Sequence, residues 1–179
     1  MATDKTGGLA GIIAGNTSIA TVGKEGKGLT YRGYSVYDLA EHSTFEEVAY
    51  LLIYGKLPSG SQLREYKETL RKLRGLPPPL KAVLEQIPGS THPMDVLRTC
   101  VSALAAFDPE TADKTPEATL RKGLRLTSQV PMIVAAHEHI RNGREPVAPD
   151  PGLSHAANFL YMLKGKTPSA DTARLMDID

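Results

Sequence analysis

Nowhere in this 179-residue chain do about 18 to 20 apolar residues follow one another, the run that a membrane-spanning helix needs. Membrane is thereby excluded as the surroundings of its most apolar segments, which leaves protein. An excess of one charge is equally lacking. The chain has 21 Lys and Arg against 20 Asp and Glu, interleaved rather than blocked, so neither a nucleic-acid face nor a membrane-surface patch is indicated. Cys100 is the single cysteine, which excludes a disulfide within the chain and fits a reducing, cytoplasmic setting. No CxxC, HExxH, paired-carboxylate motif or Ser-His-Asp set can be read, and neither an internal repeat nor a low-complexity tract is present. The first residues carry one Lys, several Gly and too short an apolar run for a signal peptide, so export is not expected.

What is present is helical patterning, strongest in residues 91–107. Pro93 has its fixed φ and missing amide at a first helical position, with Thr91 or His92 as the cap. Met94, Leu97, Cys100, Val101, Leu104 and Phe107 recur at helical spacing, and Val96, Ala103, Ala105 and Ala106 make the other sides apolar too. Only Asp95, Arg98, Thr99 and Ser102 interrupt them, in one narrow stripe. Such a helix is expected to be buried on nearly all sides, with the rest of the chain packed around it and Cys100 as a small buried hydrophobe.

The remaining elements follow from caps and breakers. Residues 1–8 read as a loose arm, and residues 19–22 and 29–31 as a small β-hairpin around Gly23, Gly26 and Gly28. The spacing of those glycines fits neither a Walker loop nor G-x-G-x-x-G, so they mark a turn rather than a phosphate cradle. Ser35 caps a short helix, and Thr44 with Glu47 forms a capping box for another that ends at Gly55. Ser59 and Ser61 are alternative caps for an amphipathic helix to Arg74, and a short helix follows near residues 82–86. Thr115-Pro116 opens a long helix reaching Asn142-Gly143, with Pro131 expected to kink it. Further helices are read at 153–163, and from Thr167-Pro168 onward in a segment whose apolar pattern has no closing cap.

The candidate chemical groups all favour structural readings. His137 and His139 stand two apart on a helix, about 200° round it, so they cannot share a metal ion. His137 falls on the apolar stripe and His139 off it, which predicts one packed and one surface histidine. His92 reads as a cap. Arg98 is spaced to pair with Asp95 rather than to hold a carboxylate ligand, and His42 and His155 sit near helix ends.

Taken together, several pieces resemble the citrate synthase family. They are Gly8-Leu-Ala-Gly-Ile12, Tyr31-Arg-Gly-Tyr34 with Asp38-Leu-Ala40, Phe45-Glu-Glu-Val-Ala-Tyr-Leu-Leu52 and Gly55-Lys-Leu-Pro58. With them go His92-Pro-Met-Asp95 with Leu97-Arg-Thr99, and Leu153-Ser-His-Ala-Ala-Asn-Phe-Leu160. They keep the family's order and spacing, and Ala14-Gly-Asn-Thr17, Thr21-Val-Gly-Lys24 and Arg74-Gly-Leu-Pro77 are most similar to its 2-methylcitrate synthase branch. The resemblance implies a mostly α fold, with residues 1–179 as an incomplete N-terminal part of the large domain carrying a small β-hairpin. It also implies a homodimer through helices 93–107 and 116–142. The family condenses oxaloacetate with acetyl-CoA or propionyl-CoA and needs no cofactor beyond that coenzyme A thioester. One His stabilises the enol, an Asp removes the α-proton, a second His protonates the ketone oxygen, and arginines grip the carboxylates.

None of those groups is assigned to a residue of this chain. The His-Gly-Gly-Ala-Asn-type and Gly-His-Arg/Pro-Val-Tyr motifs are absent, and the family places them beyond the point matching Asp179. The expectation is therefore the front half of an acyltransferase, inactive alone. The alternative is a stand-alone helical module that dimerises with a full-length relative.

Overall fold

The computed structural model describes residues 12–13, 15–23 and 28–178. The expected arm at 1–8 and the tip of the expected hairpin lie outside those residues. Strands Ala20–Val22 (β1), Leu29–Tyr31 (β2) and Tyr34–Ser35 (β3) form an antiparallel meander, with Thr21 opposite Thr30 and Tyr31 opposite Tyr34. The expected two-stranded hairpin thus gains a third strand. Its turn is the pair Arg32 and Gly33, both at positive φ (51° and 91°), the backbone that a two-residue hairpin connection demands. Arg32 tolerates it with its guanidinium donating to Ser18 Oγ (2.6 Å) and the Leu52 carbonyl (2.9 Å).

Eight helices follow among the described residues: Val36–His42 (α1), Phe45–Tyr54 (α2), Gly60–Leu73 (α3), Pro78–Gln86 (α4), Pro93–Phe107 (α5), Pro116–Ile140 (α6), His155–Lys164 (α7) and Ala170–Ile178 (α8). Their starts obey the capping rules. Thr44/Glu47 and Ser59/Gln62 are complete capping boxes, while His92 caps α5 by accepting the Met94 amide on Nδ1 at 3.2 Å. Gly55 ends α2 at φ 82°, where a side chain would be strained. Helix α4 begins earlier than expected, because the proline run opens it instead of preceding it. Pro131 lies inside α6 without ending it.

The centre of the packing is α6, not α5. Ile133 and Ala136 of α6 join Leu80 and Leu84 of α4 and Val96, Cys100 and Leu104 of α5 in one cluster. Leu124 of α6 joins Tyr50, Tyr66 and Leu70 in a second, and Met132 and Ala135 join Met162 in a third. A helix of 25 residues presents enough length and enough sides to serve three clusters. By contrast α5 buries one side only within this chain, and Met94 at its start is 63% exposed.

Candidate functional site

A buried polar cluster surrounds the start of α7. Ser154 caps the helix by accepting the Ala157 amide, and Glu46, only 2% exposed on α2, places Oε1 3.0 Å from the His155 amide. A carboxylate at a helix N-terminus satisfies an orphan donor and complements the helix dipole. From the end of α3, Arg74 donates to the carbonyls of Leu153 (3.0 Å) and Asp150 (3.3 Å), fixing the segment that leads into α7. The His155 ring stacks on Phe45 with centroids 4.6 Å apart and planes 8° from parallel.

The electrostatics of this cluster follow from burial. Desolvation, reinforced by the Arg74 cation, brings the His155 pKa down to about 4, so the ring is neutral. Burial likewise raises the Tyr66 hydroxyl and lowers the Arg74 guanidinium, the latter against the opposing pull of Glu46. Glu46 Oε2, Tyr66 Oη, Arg74 Nε and His155 Nδ1 are buried without a protein partner. Alongside runs an apolar groove lined by Phe45, Leu126, Val130, Val134, Phe159 and Met176. The arrangement orients one helix and keeps its histidine uncharged.

The residues singled out by sequence do not converge on it, apart from His155. Arg98 pairs with Asp95 at 3.0 Å on an exposed face, and His42 lies in the last turn of α1. His137 is packed, as its stripe position predicts. His139 corrects the expectation of a surface residue: it is buried, with Nε2 2.7 Å from the Met162 carbonyl. The packing of α7 across α6 covers that side of the helix too, which the pattern within α6 alone does not reveal. Among the described residues no group of three His, Cys, Asp or Glu is placed to hold a metal ion. Nor, among them, is any helix long and apolar enough to cross a membrane.

A second polar cluster escaped sequence reasoning. Arg125 of α6 donates to Asp108 (2.9 Å) and Glu110 (2.8 Å), Arg121 pairs with Glu110, and Lys122 donates to the carbonyls of Glu110 and Asp113. The hydrogen bonds from Arg121 and Arg125 hold the Glu110 carboxyl at a pKa of about 2. Together these contacts pin the loop between α5 and α6. The signal was legible as three cations spaced along one helix face opposite an acidic loop.

A three-stranded meander, short capped helices and two long proline-started helices around a shared core define a mostly helical domain of the citrate-synthase type. The family model described as "Citrate synthase, C-terminal domain" matches residues 8–179, and the chain belongs to the citrate synthase family. It is 45% identical to the 2-methylcitrate synthase of Shewanella oneidensis, over 96% of this chain and 45% of that protein. It is 39% identical to the citrate synthase of Acidithiobacillus ferridurans, over 95% of this chain and 45% of that protein. The crystal structure of citrate synthase from Pyrobaculum aerophilum superimposes with a TM-score of 0.89 at 35% identity, covering 95% of this chain and 44% of that one. The chain spans a little under half the length of these relatives.

Proposed function

We propose that these residues belong to an acyltransferase that condenses oxaloacetate with propionyl-CoA, and also with acetyl-CoA, in the cytoplasm. The similarity to a 2-methylcitrate synthase along nearly the whole chain carries this reading. In that reaction a base removes the α-proton of the thioester, the resulting enol attacks the ketone carbon of oxaloacetate, and hydrolysis of the thioester releases coenzyme A. Residues 1–179 supply scaffold and subunit contacts to it, while the two His, the Asp and the carboxylate-gripping arginines come from the part of the family's sequence beyond the point matching Asp179.

The test is thiol release from propionyl-CoA and acetyl-CoA with oxaloacetate present. Turnover is expected for a full-length parent, at least as fast with propionyl-CoA, and none above a buffer blank for the 179-residue chain. Without enol stabilisation or a base, neither barrier is lowered. Turnover by the short chain would place catalytic groups within it and overturn the division of labour.

The partner in this reading is a second copy, met through α5 and α6. Support comes from the apolar side chains that these helices leave exposed, among them Met94, Phe107, Leu126 and Val134. Val101 is half-buried against the α4–α5–α6 cluster, so a charge there tests the fold as much as the interface. Met94 separates the two. Met94→Asp is expected to leave the melting temperature of the isolated chain within a few degrees and to shift the parent toward monomer in sedimentation. An unchanged dimer would remove α5 from the interface.

A further inference from the structure

Helix α8 is attached in an unusual way: none of its residues is buried, and Leu175 is 70% exposed. It packs along α7, and its hydrogen bonds to the α1–α2 corner run from Arg174 and Asp177. The Arg174 guanidinium donates to the carbonyls of Ala40 (2.6 Å), Glu41 (3.0 Å) and Ser43 (2.8 Å), which are the open acceptors at and just past the C-terminus of α1. One turn on, Asp177 pairs with Arg174 at 3.0 Å and accepts the amide of Phe45, the first residue of α2, on its other oxygen at 3.2 Å. The capping box of α2 uses Thr44 to satisfy Glu47 and leaves that Phe45 amide to Asp177. A cation therefore stands at the negative end of one helix and an anion at the positive end of the next, both supplied by a third helix more than 130 residues away in sequence.

We propose that α8 and the α1–α2 corner form one cooperative unit, opened and closed by the Arg174–Asp177 pair. Helix α8 cannot leave without stripping the C-cap of α1 and an N-terminal acceptor of α2, and fraying of the corner releases α8. The unit extends in two directions. Helix α1 packs on β2 and β3, while Met176 lines the apolar groove beside the Phe45–His155 stack. Displacing α8 thus loosens the small sheet and uncovers that stack, whereas α4, α5 and most of α6, held by their own buried cluster, stay closed.

Hydrogen exchange read by mass spectrometry on the 179-residue chain tests this, comparing wild type with Arg174→Ala and Asp177→Asn. Exchange at residues 36–47 and at residues 170–178 is expected to accelerate together, by roughly tenfold in Arg174→Ala, the scale of losing helix caps. Residues 96–106 and 128–138 are expected to keep wild-type rates. Acceleration confined to 170–178, or no acceleration, would overturn the coupling. Should Arg174→Ala unfold the chain, Arg174→Lys retains the charge and loses the fork, and it must accelerate both segments and spare the other two; uniform acceleration there would also overturn the proposal.

Discussion

Replacing Ile133 by aspartate is expected to abolish cooperative folding of the isolated chain. Ile133 is 1% exposed and sits where α4, α5 and α6 meet, touching the cluster of Leu80, Leu84, Val96, Cys100 and Leu104. Two costs combine. Truncating a buried isoleucine costs about 2 to 5 kcal/mol in lost transfer energy and cavity, and a carboxylate with no partner in an apolar cluster adds several kcal/mol of desolvation or neutralisation. The sum falls within the roughly 5 to 15 kcal/mol by which a domain of this size is stable, enough to remove most or all of it. Circular dichroism with a thermal scan measures it, with Ile133→Val as the graded companion, expected to cost about 1 kcal/mol. A sharp melt of Ile133→Asp within a few degrees of wild type would show that the three helices do not share one core.

What could be read from the sequence was whatever is decided within one turn of chain. The caps at Ser35, Thr44 and Ser59, the stop at Gly55 and the proline-led starts of α5 and α6 involve partners two to four residues apart, and each is found where its residues predict. The third strand was missed because two residues show no periodicity, and its turn needs an arginine at positive φ, which residue type does not favour. Distance in sequence explains the other gaps. Glu46 reads as one of two acidic residues in the first turn of α2, and only the fold reveals its bond to an amide 109 residues on. His139 looked solvent-facing because α7 covers it from 23 residues away. The central role of α6 was hidden for a related reason: apolar composition is richest in α5, but the number of neighbours a helix serves depends on its length and position. Family membership was legible through motif order, and the proposal that the catalytic groups come from beyond Asp179 rests on that same resemblance.

His155 makes the chain's stability respond to acid from about pH 6.5 downward, before carboxylates begin to titrate. Its ring is stacked on Phe45 and 5% exposed, with Arg74 on one side disfavouring a second positive charge and Asp177 offering only partial compensation; Glu46 spends its bonded oxygen on the His155 amide rather than on the ring. In the unfolded chain the imidazole returns to about 6.5, while in the fold its pKa is about 4. The unfolded state therefore binds the proton first as pH falls. The contribution of the neutral ring is fully present above about pH 6.5 and is lost progressively down to about pH 4, and that interval is worth about 3 kcal/mol in order of magnitude. Urea unfolding at pH 7 and at pH 4.5 is expected to show the midpoint falling over this window. His155→Phe preserves the stack on Phe45 and removes the titration, so its midpoint is expected to move much less between the same two pH values. Glu110 does not confuse the comparison: its depressed pKa of about 2 gives a contribution that is present above its ordinary value near 4.5 and is lost only as pH falls toward 2. Equal midpoint shifts in wild type and His155→Phe would mean that His155 is as easily protonated in the fold as in water, and that the polar cluster at the start of α7 is open to solvent.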